Sequence, residues 1–193
     1  MDNNIDNNTD QELVLATLKD RHSFSNIVKK YEAQLTRYIY RIGAKDSEEV
    51  KDILQESFIK VYINLNDYDK DFSFSAWVYR ITHNETINHF RKQKNRPQVF
   101  KNESDLIIFE MIPDDLNMFD EQNEKFNKKK IIEGLGFINQ KYRDVLVLRF
   151  FEEKNYEEIS DILQIPSGTV ATYLNRGKLA LKDILLKSNT LDI

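Results

Sequence analysis

The sequence predicts an all-α protein made of two small helical domains joined by an acidic flexible linker, the second domain containing a helix-turn-helix. Three observations support this fold class. Apolar residues recur at helical spacing along most of the chain, and only five glycines and three prolines interrupt the 193 residues. After Pro97, acidic and apolar residues mix without a sustained period, which separates two periodic regions. A chain of this length is sufficient for one or two domains with a core in each.

The composition narrows the possible classes of function. Cysteine is absent, so the chain has neither a disulfide framework nor a thiolate metal site, and we expect a cytoplasmic protein. The first residues are acidic without an apolar run, so we expect no signal peptide and no membrane insertion. His83 and His89 flank Glu85, but six residues turn a helix by about 240°, so the rings diverge and no metal site is predicted. No phosphate-binding glycine loop occurs, and no cofactor is predicted.

The net charge of −4 hides an uneven distribution of charge along the chain. Residues 79–96 contain five lysines or arginines and one glutamate, whereas residues 97–124 contain eight acidic residues and one lysine. Residues 166–187 are basic again, with four lysines or arginines and one aspartate. Phosphate contacts require local positive charge, so the two basic segments fit nucleic-acid binding and the acidic segment fits a protein partner.

The N-terminal part of the chain predicts a leader followed by helices. Residues 1–22 are expected to form a loose leader that runs into a short helix at about residues 11–18. Apolar residues at helical spacing then define the core face of a full helix: Phe24, Ile27, Val28, Tyr31, Leu35, Tyr38, Ile39 and Ile42. Gly43 is suited to end this helix, and Ser47 with Val50 following marks the start of the next one.

Two stripes run along the segment 48–65. The first is apolar and predicts a core face: Val50, Ile53, Leu54, Phe58, Val61 and Leu65. The second begins with acidic and amide side chains and ends with two isoleucines: Asp52, Gln55, Glu56, Ile59 and Ile63. A solvated face has no need of two isoleucines, so this stripe is either a docking surface or the second buried side of a helix enclosed on two sides.

The next segment combines a polar and aromatic connector with a basic helix. The connector, residues 66–74, includes Asn66, Asp67, Tyr68, Asp69, Phe72 and Ser73. The helix is predicted at residues 75–95, and one side of it is apolar: Phe74, Trp77, Val78 and Ile81. An adjacent stripe is polar and is followed by basic residues at the helix end: Arg80, Asn84, Asn88 and Arg91, then Lys92, Lys94 and Arg96. Asn and Arg suit base edges and phosphates because they donate hydrogen bonds in fixed planes. The connector has the residue types of a pocket for an unstacked base, and equally those of an ordinary turn over a small aromatic core.

Pro97 is expected to end the basic helix, and residues 97–124 form the linker, which either orders against a partner or serves as a solvated tether. Beyond it, a short helix at residues 126–135 is predicted to end at Gly136, and Asn139 is expected to cap the next helix. The core of that next helix is expected from Tyr142, Val145, Leu146, Leu148, Phe150 and Phe151.

A helix-turn-helix pattern lies near the end of the chain. A compact amphipathic helix at residues 156–163 is followed by a turn at Gln164 and Ile165, and then by a longer helix from Pro166 or Ser167 to about Lys187. Packing between the two helices is expected from Ile159, Ile162, Ile165, Val170 and Leu174. The N-terminal half of the longer helix, which enters the major groove in such motifs, presents Ser167, Gly168, Thr169, Thr172, Tyr173 and Arg176.

Two runs of the sequence resemble bacterial RNA polymerase sigma factors of the extracytoplasmic-function (ECF) class. The first, within residues 23–96, is similar to the family's core-polymerase and −10 promoter-binding domain: DILQESFIKVYINLNDYDKDFSFSAWVYRITHNETINHFRKQ. The second, within residues 125–189, is similar to its −35-binding domain: KYRDVLVLRFFEEKNYEEISDILQIPSGTVATYLNRGKLAL. The resemblance implies a sigma factor, not an enzyme, that binds core RNA polymerase, recognises −10 and −35 promoter elements and promotes DNA melting for transcription initiation.

The resemblance also implies roles for the residues named above. Core RNA polymerase would be bound by Asp52, Gln55, Glu56, Ile59 and Ile63. The −10 DNA would be held by Asn66, Asp67, Tyr68, Phe72, Trp77, Arg80, Asn84, Asn88 and Arg91. The −35 duplex would be contacted by Ser167, Gly168, Thr169, Thr172, Tyr173 and Arg176. An anti-sigma factor is an expected further partner, and the linker is expected to thread a polymerase channel.

The sequence departs from the family pattern at three positions. Ala171 and Tyr173 stand where the family usually has a basic residue and an arginine, and Asn88 stands where an acidic residue is common. The loss of two cations on the reading helix is expected to weaken phosphate contact.

Two other classes of function stay open at this point. One is a stand-alone transcription regulator, in which the helix-turn-helix binds an operator and residues 1–96 form a sensor or dimerisation domain. This class predicts specific duplex binding without polymerase. The other is a nucleic-acid hydrolase, which requires converging carboxylates or a histidine-based site, and Asp67, Asp69 and Asp71 are the cluster to test.

Overall fold

The computed structural model describes residues 9–94 and 124–191, and every regular element within these ranges is helical. The helices are α1 (Asp10–Lys19), α2 (Phe24–Ile42), α3 (Ser47–Ile63), α4 (Phe74–Lys94), α5 (Glu124–Phe137), α6 (Gln140–Phe150), α7 (Tyr156–Leu163) and α8 (Ser167–Leu191), with 3₁₀ turns at Arg21–Ser23 and Leu65–Asp67. The predicted all-α fold is confirmed for these residues. Residues 95–123, which include Arg96, Pro97 and the predicted linker up to residue 123, lie outside the described residues. The chain divides into two compact units: the first contains α1, α3, α4 and most of α2, and the second contains α5, α6, α8 and most of α7.

In the first unit, one aspartate ties α1 to α2. A capping box begins α1, because the Thr9 hydroxyl accepts from the Glu12 N–H and the Glu12 carboxylate accepts from the Thr9 N–H. Asp10 accepts a hydrogen bond from the Tyr31 hydroxyl at 2.8 Å and pairs with Lys30 at 3.1 Å. Burial, together with the Asp10 carboxylate, raises the pKa of Tyr31, so its hydroxyl stays a donor. The predicted short helix is confirmed and is one residue longer at each end.

The core of the first unit is formed by α2, α3 and α4. The buried apolar residues of α2 are Ile27, Tyr31, Leu35, Tyr38, Ile39 and Ile42, and the whole predicted core stripe of residues 50–65 is buried as well. The Tyr38 ring meets Tyr79 edge-on at 5.1 Å, and its hydroxyl is hydrogen-bonded to Nδ1 of His83 at 2.9 Å. Burial lowers the pKa of His83 to about 4, so this histidine is neutral near pH 7.

The turn between α2 and α3 depends on a glycine and an aspartate. Gly43 follows α2 with a φ of 130°, where glycine is favoured, in agreement with its predicted role. The predicted helix start at Ser47 is confirmed, because Ser47 is the first residue of α3. Asp46, just before it, is the N-cap, since its carboxylate accepts from the Glu49 N–H at 2.8 Å.

In the second unit, α5 continues past its predicted end. The predicted cap at Gly136 is wrong, because Gly136 lies inside α5. The Arg143 guanidinium of α6 satisfies the carbonyls at this helix end instead, donating to the Leu135 and Gly136 oxygens at 2.7 and 2.9 Å. A side chain from the next helix therefore replaces a glycine cap, and the local sequence gives no sign of it.

α6 and α8 approach closely because a glycine lies at their contact. A Cβ added to Gly177 of α8 would lie 3.1 Å from the Leu146 side chain and 3.3 Å from the Tyr142 Cβ. Asn139 caps α6 as predicted and accepts from the Lys141 N–H at 3.2 Å. The buried core of α6 consists of Val145, Leu146, Val147 and Leu148, whereas its aromatic residues Tyr142 and Phe150, with Phe151 just beyond, are half-buried.

The helix-turn-helix is built from α7 and α8 as predicted. Asn155 and Glu158 form a capping box at the start of α7, and Gln164 ends it in the left-handed region with a φ of 53°. The Ser160 hydroxyl donates to the Ile165 carbonyl at 2.6 Å, which closes the turn. Of the predicted packing residues, Ile159, Ile162, Val170 and Leu174 are buried and Ile165 is half-buried.

Replacing Gly136 by alanine is expected to raise the free energy of unfolding of the second unit by up to about 1 kcal/mol, because alanine has the higher helix propensity. A Cβ at Gly136 meets nothing within 4 Å. In the matched variant Gly177→Leu, leucine also favours helix, so crowding against Leu146 accounts for an expected loss of about 1–3 kcal/mol. Denaturant unfolding followed by circular dichroism measures both. A loss on Gly136→Ala would contradict the helical conformation of this residue.

The stability of the first unit is expected to fall as the pH is lowered from 6.5 to about 4. In this window the unfolded chain binds a proton at His83 that the folded unit excludes, because the pKa in the folded unit is lowered from 6.5 to about 4. Protons therefore favour the unfolded state, and the stabilisation is present above pH 6.5. His83→Gln should remove this part of the pH dependence.

Urea unfolding at several pH values, followed by the fluorescence of Trp77, measures this effect. Trp77 is the single tryptophan of the chain and lies in the first unit. The choice of probe matters because burial raises the pKa of Asp144 in the second unit to about 7, which gives the opposite pH dependence there. A His83→Gln protein with the parent's pH dependence would count against the buried neutral histidine.

Candidate docking and nucleic-acid surfaces

The docking stripe (Asp52, Gln55, Glu56, Ile59 and Ile63) is exposed along α3. Ile59 and Ile63 are 43 % and 65 % exposed, whereas the apolar stripe of the same helix is buried. The alternative of a helix enclosed on two sides is therefore wrong for α3, and the docking alternative stands. Two exposed isoleucines at the end of an acidic stripe have the composition that suits a protein contact surface.

Tyr62 extends this apolar patch, although the periodicity assigns it to neither stripe. Its side chain is 37 % exposed and lies three residues from Ile59 and next to Ile63. The Tyr62 ring meets Phe24 of α2 edge-on, with 5.1 Å between the ring centroids. Because Phe24 supports one edge of the ring, the exposed part of Tyr62 has a fixed position beside the isoleucines.

Charged contacts brace α3 against α4. Lys60 Nζ lies 2.6 Å from Glu85 Oε1, and the Glu85 side chain is only 14 % exposed. The buried Glu49 of α3 also faces His89 of α4, with 3.5 Å between Oε1 and Nε2. The other Glu49 oxygen accepts from the Lys45 N–H at 2.7 Å. The surfaces carried by α3 and α4 are therefore held in a fixed relation.

The connector separates into exposed and buried residues. Asn66 and Asp67 are exposed, and Phe72 is exposed to 57 %. Tyr68 and Trp77 are each only 8 % exposed, and they cluster with Phe74 at ring-centroid distances of 5.0, 5.4 and 5.7 Å. The structure thus places Tyr68 and Trp77 in a packed cluster that leaves little of either ring exposed to solvent.

Tyr68 also fixes the backbone of the loop. Its hydroxyl donates to the Phe72 carbonyl at 2.6 Å, and burial raises the pKa of Tyr68, which keeps the donor protonated. The Asp69 side chain accepts from the Asp71 N–H at 3.0 Å, and the Asp69 carbonyl accepts from the Phe72 N–H at 3.2 Å. The connector is therefore an ordered turn that presents the Phe72 ring to solvent.

Two features are absent from the described part of the chain. No group of three or more His, Cys, Asp or Glu side chains is placed there to hold a metal ion, and this includes Asp67, Asp69 and Asp71. None of the helices described is both long enough and apolar enough to span a bilayer.

The strand stripe, named for the DNA strand it is predicted to contact, runs along α4 and consists of Arg80, Asn84, Asn88 and Arg91. Asn84, Asn88 and Arg91 are exposed, and Arg80 is half-exposed. Behind the stripe, Thr82 and Thr86 are fully buried, and their hydroxyls donate to the Val78 and Thr82 carbonyls at 3.0 and 2.8 Å. The stripe therefore stands on a packed helix face without unpaired threonine hydroxyls. The side chains of Lys94 and Arg96, which the sequence adds to this surface, lie outside those described.

The reading stripe (Ser167, Gly168, Thr169, Thr172, Tyr173 and Arg176) occupies the first half of α8. Ser167, Gly168, Thr172 and Arg176 are exposed, whereas Thr169 and Tyr173 are half-buried. The Thr172 hydroxyl donates to the Gly168 carbonyl at 2.9 Å. The Tyr173 ring meets Tyr142 of α6 edge-on at 5.5 Å, so one member of the stripe also belongs to the α6–α8 contact.

Two family models match the chain, and together they span both units. Sigma-70 region 2 matches residues 27–96, and Sigma-70, region 4 matches residues 138–181. The ECF RNA polymerase sigma factor SigW of Bacillus subtilis is 33 % identical over 174 residues, covering 84 % of this chain and 89 % of that protein. The RNA polymerase sigma-H factor of Pseudomonas aeruginosa is 31 % identical over 185 residues, covering 91 % and 93 %.

Solved structures show the same fold. CnrH, in complex with the cytosolic domain of CnrY, matches with a TM-score of 0.66 at 19 % identity, covering 91 % of this chain and 96 % of that one. RpoE from Bartonella quintana, in complex with the anti-sigma factor NepR, matches with a TM-score of 0.62 at 16 % identity, covering 84 % and 96 %. The chain belongs to the RNA polymerase sigma factors of the ECF class, which recognise promoters.

Tyr68→Phe is expected to loosen the connector without unfolding the first unit. The substitution removes the hydrogen bond to the Phe72 carbonyl and keeps the ring contacts with Phe74 and Trp77. The expected loss of stability is about 1 kcal/mol, with faster amide hydrogen exchange in residues 69–73. Tyr38→Phe, which removes the hydroxyl bonded to His83 in the same unit, is the matched control. Unchanged exchange in the connector of Tyr68→Phe would show that the hydroxyl does not order it.

Proposed function

We propose that the chain binds core RNA polymerase, recognises −10 and −35 promoter elements and promotes DNA melting at initiation, without catalysing a reaction itself. The carrying observation is that the docking stripe and the strand stripe are both exposed on helices joined by the Lys60–Glu85 ion pair. In this proposal residues 23–96 form the polymerase and −10 domain, and residues 125–189 form the −35 domain. Residues 97–124 are the linker, and residues 1–22 are the leader.

Core polymerase is the proposed partner of the docking stripe. Acidic Asp52 and Glu56 stand at one end of the stripe, and Ile59 and Ile63 stand at the other. Acidic side chains steer the approach of a basic surface, while exposed apolar side chains supply the desolvated contact once it forms. The partner surface that fits this arrangement is basic and borders an apolar groove.

Capture of the −10 strand is the proposed role of the connector and the strand stripe. The exposed Phe72 ring, beside Asn66 and Asp67, offers a face on which an unstacked base can stack. Asn84 and Asn88 carry amides suited to base edges, and the Arg80 and Arg91 guanidinium groups suit phosphates. Tyr68 and Trp77 hold this surface in place from below. Capture of a flipped base offsets an unstacking cost of a few kcal/mol, so melting needs no nucleotide hydrolysis.

Reading of the −35 duplex is the proposed role of α8. Ser167, Gly168 and Thr172 are small and exposed, which permits close approach of the helix to a groove. Arg176 is exposed at the end of the stripe, where a guanidinium binds guanine or phosphate through paired hydrogen bonds. Ala171 and Tyr173 add no charge, so the duplex is read with few cations from this helix.

An anti-sigma factor is a further proposed partner, and the cytoplasm is the proposed location. RpoE of the matched structure is bound by the anti-sigma factor NepR. The exposed apolar side chains Ile63 and Phe72 provide anchors for such a protein on the surfaces used for polymerase and the −10 strand. Core polymerase and promoter DNA are both found in the cytoplasm.

Multi-round transcription with core RNA polymerase, with and without this protein, tests the proposal on promoter DNA from its own genome. New start sites are expected only when the protein is present. Glu56→Lys reverses a charge in the docking stripe and should abolish both polymerase binding and the start sites. Asn84→Ala should leave polymerase binding intact and lower open-complex formation about 5- to 150-fold, because a lost base contact costs about 1–3 kcal/mol. Permanganate reactivity of unpaired thymines measures the open complex.

Glu32→Lys and Gln34→Ala are the matched controls, since both residues are exposed and lie on α2, which carries neither stripe. Both variants should transcribe like the parent protein. Absence of protein-dependent start sites, combined with tight duplex binding without polymerase, would replace this proposal with a stand-alone regulator.

A further inference from the structure

Lys141 lies over two tyrosine rings at the edge of the reading stripe. Its Nζ is 5.1 Å from the ring centroid of Tyr142 and 5.3 Å from that of Tyr173. The two rings belong to α6 and α8 and meet edge-on at 5.5 Å. Lys141 is itself exposed, so its ammonium faces solvent while two aromatic faces fix its position.

This cation adjoins a stripe that is poor in positive charge. From Ser167 to Arg176, the single basic residue of α8 is Arg176. Phosphate contacts supply much of the affinity of a protein for duplex DNA, so a helix with one cation needs others nearby. Tyr173 lies one turn from both Thr169 and Arg176, and a cation held over its ring therefore borders the stripe.

The position of this ammonium depends on backbone packing. Close approach of α6 and α8 at Gly177, where an added Cβ would lie 3.3 Å from the Tyr142 Cβ, fixes the distance between the two tyrosines. The lysine stem lies along apolar ring surface and keeps its charged end in water. A side chain that is held before binding loses less conformational entropy when it meets a ligand.

We propose that Lys141 is a phosphate-binding residue for the duplex read by α8, with Tyr142 and Tyr173 as positioning residues that hold its ammonium beside the reading stripe. The inference rests on the proposed −35 recognition and adds to it a cation from outside the helix-turn-helix. Tyr173 then acts on DNA affinity through the lysine that its ring supports.

The salt dependence of promoter binding by the complete holoenzyme tests this role. The DNA is a promoter that gives a protein-dependent start site. Lys141→Gln is expected to weaken binding and to reduce the slope of log K against log salt concentration by about one. On promoter DNA that begins just downstream of the −35 element, and therefore lacks it, the same variant should bind like the parent. Tyr173→Phe keeps the ring and should keep the slope, and Lys141→Gln should have a smaller effect in a Tyr173→Leu background.

Lys182→Gln is the matched control. Lys182 is exposed on α8 and lies nine residues after Tyr173, about half a turn around the helix, so the slope should not change. A parental slope for Lys141→Gln, while Arg176→Gln lowers the slope, would overturn the inference. Lower thermal stability of Lys141→Gln with a parental slope would likewise overturn it and assign Lys141 to packing. Absence of start sites with the unmodified protein would be a failure of the proposed function instead.

Discussion

The packing of α3 against α4 is the contact on which the surfaces of the first unit depend. Ser57 of α3 and Thr82 and Thr86 of α4 are fully buried, and each hydroxyl donates to a carbonyl one turn back in its own helix. Buried hydroxyls satisfied in this way leave no unpaired polar group between the helices. The Lys60–Glu85 ion pair then holds the helices together near the surface. This packing therefore sets the orientation of the docking stripe on α3 relative to the strand stripe on α4.

The spacing of apolar residues was sufficient to predict those helices in which a buried apolar face and an exposed polar face differ strongly. The core stripe of α3 and the bounds of α7 follow from the sequence because apolar residues repeat at helical spacing and polar residues flank them. The docking stripe is recognisable for the same reason, since Ile59 and Ile63 interrupt a polar face. Their exposure was predictable from the spacing within α3 alone, without knowledge of contacts between residues that are distant in sequence.

Helix ends and aromatic residues were harder to predict. Gly136 looks like a helix cap, but the Arg143 side chain takes over the carbonyls of that helix end, and a contact between helices leaves no local pattern. Trp77 and Tyr68 have the residue types of a base-binding pocket and of a small core alike, and the burial of their rings, which the sequence left open, favours the core. The ring contact between Lys141 and Tyr173 joins two helices, so spacing along one helix does not reveal it.

α8 is longer than the part of it that faces DNA in our proposal. At about 1.5 Å per residue, its 25 residues span about 37 Å. Val170 and Leu174 support its first half, whereas its rear is seated where Gly134 of α5 leaves room for the Leu181 side chain. The reading stripe and the contact with α5 therefore lie on one continuous helix. A Cβ introduced at Gly134 would lie 2.8 Å from the Leu181 side chain, so the seating of this helix depends on a glycine of α5, far along the chain from the stripe.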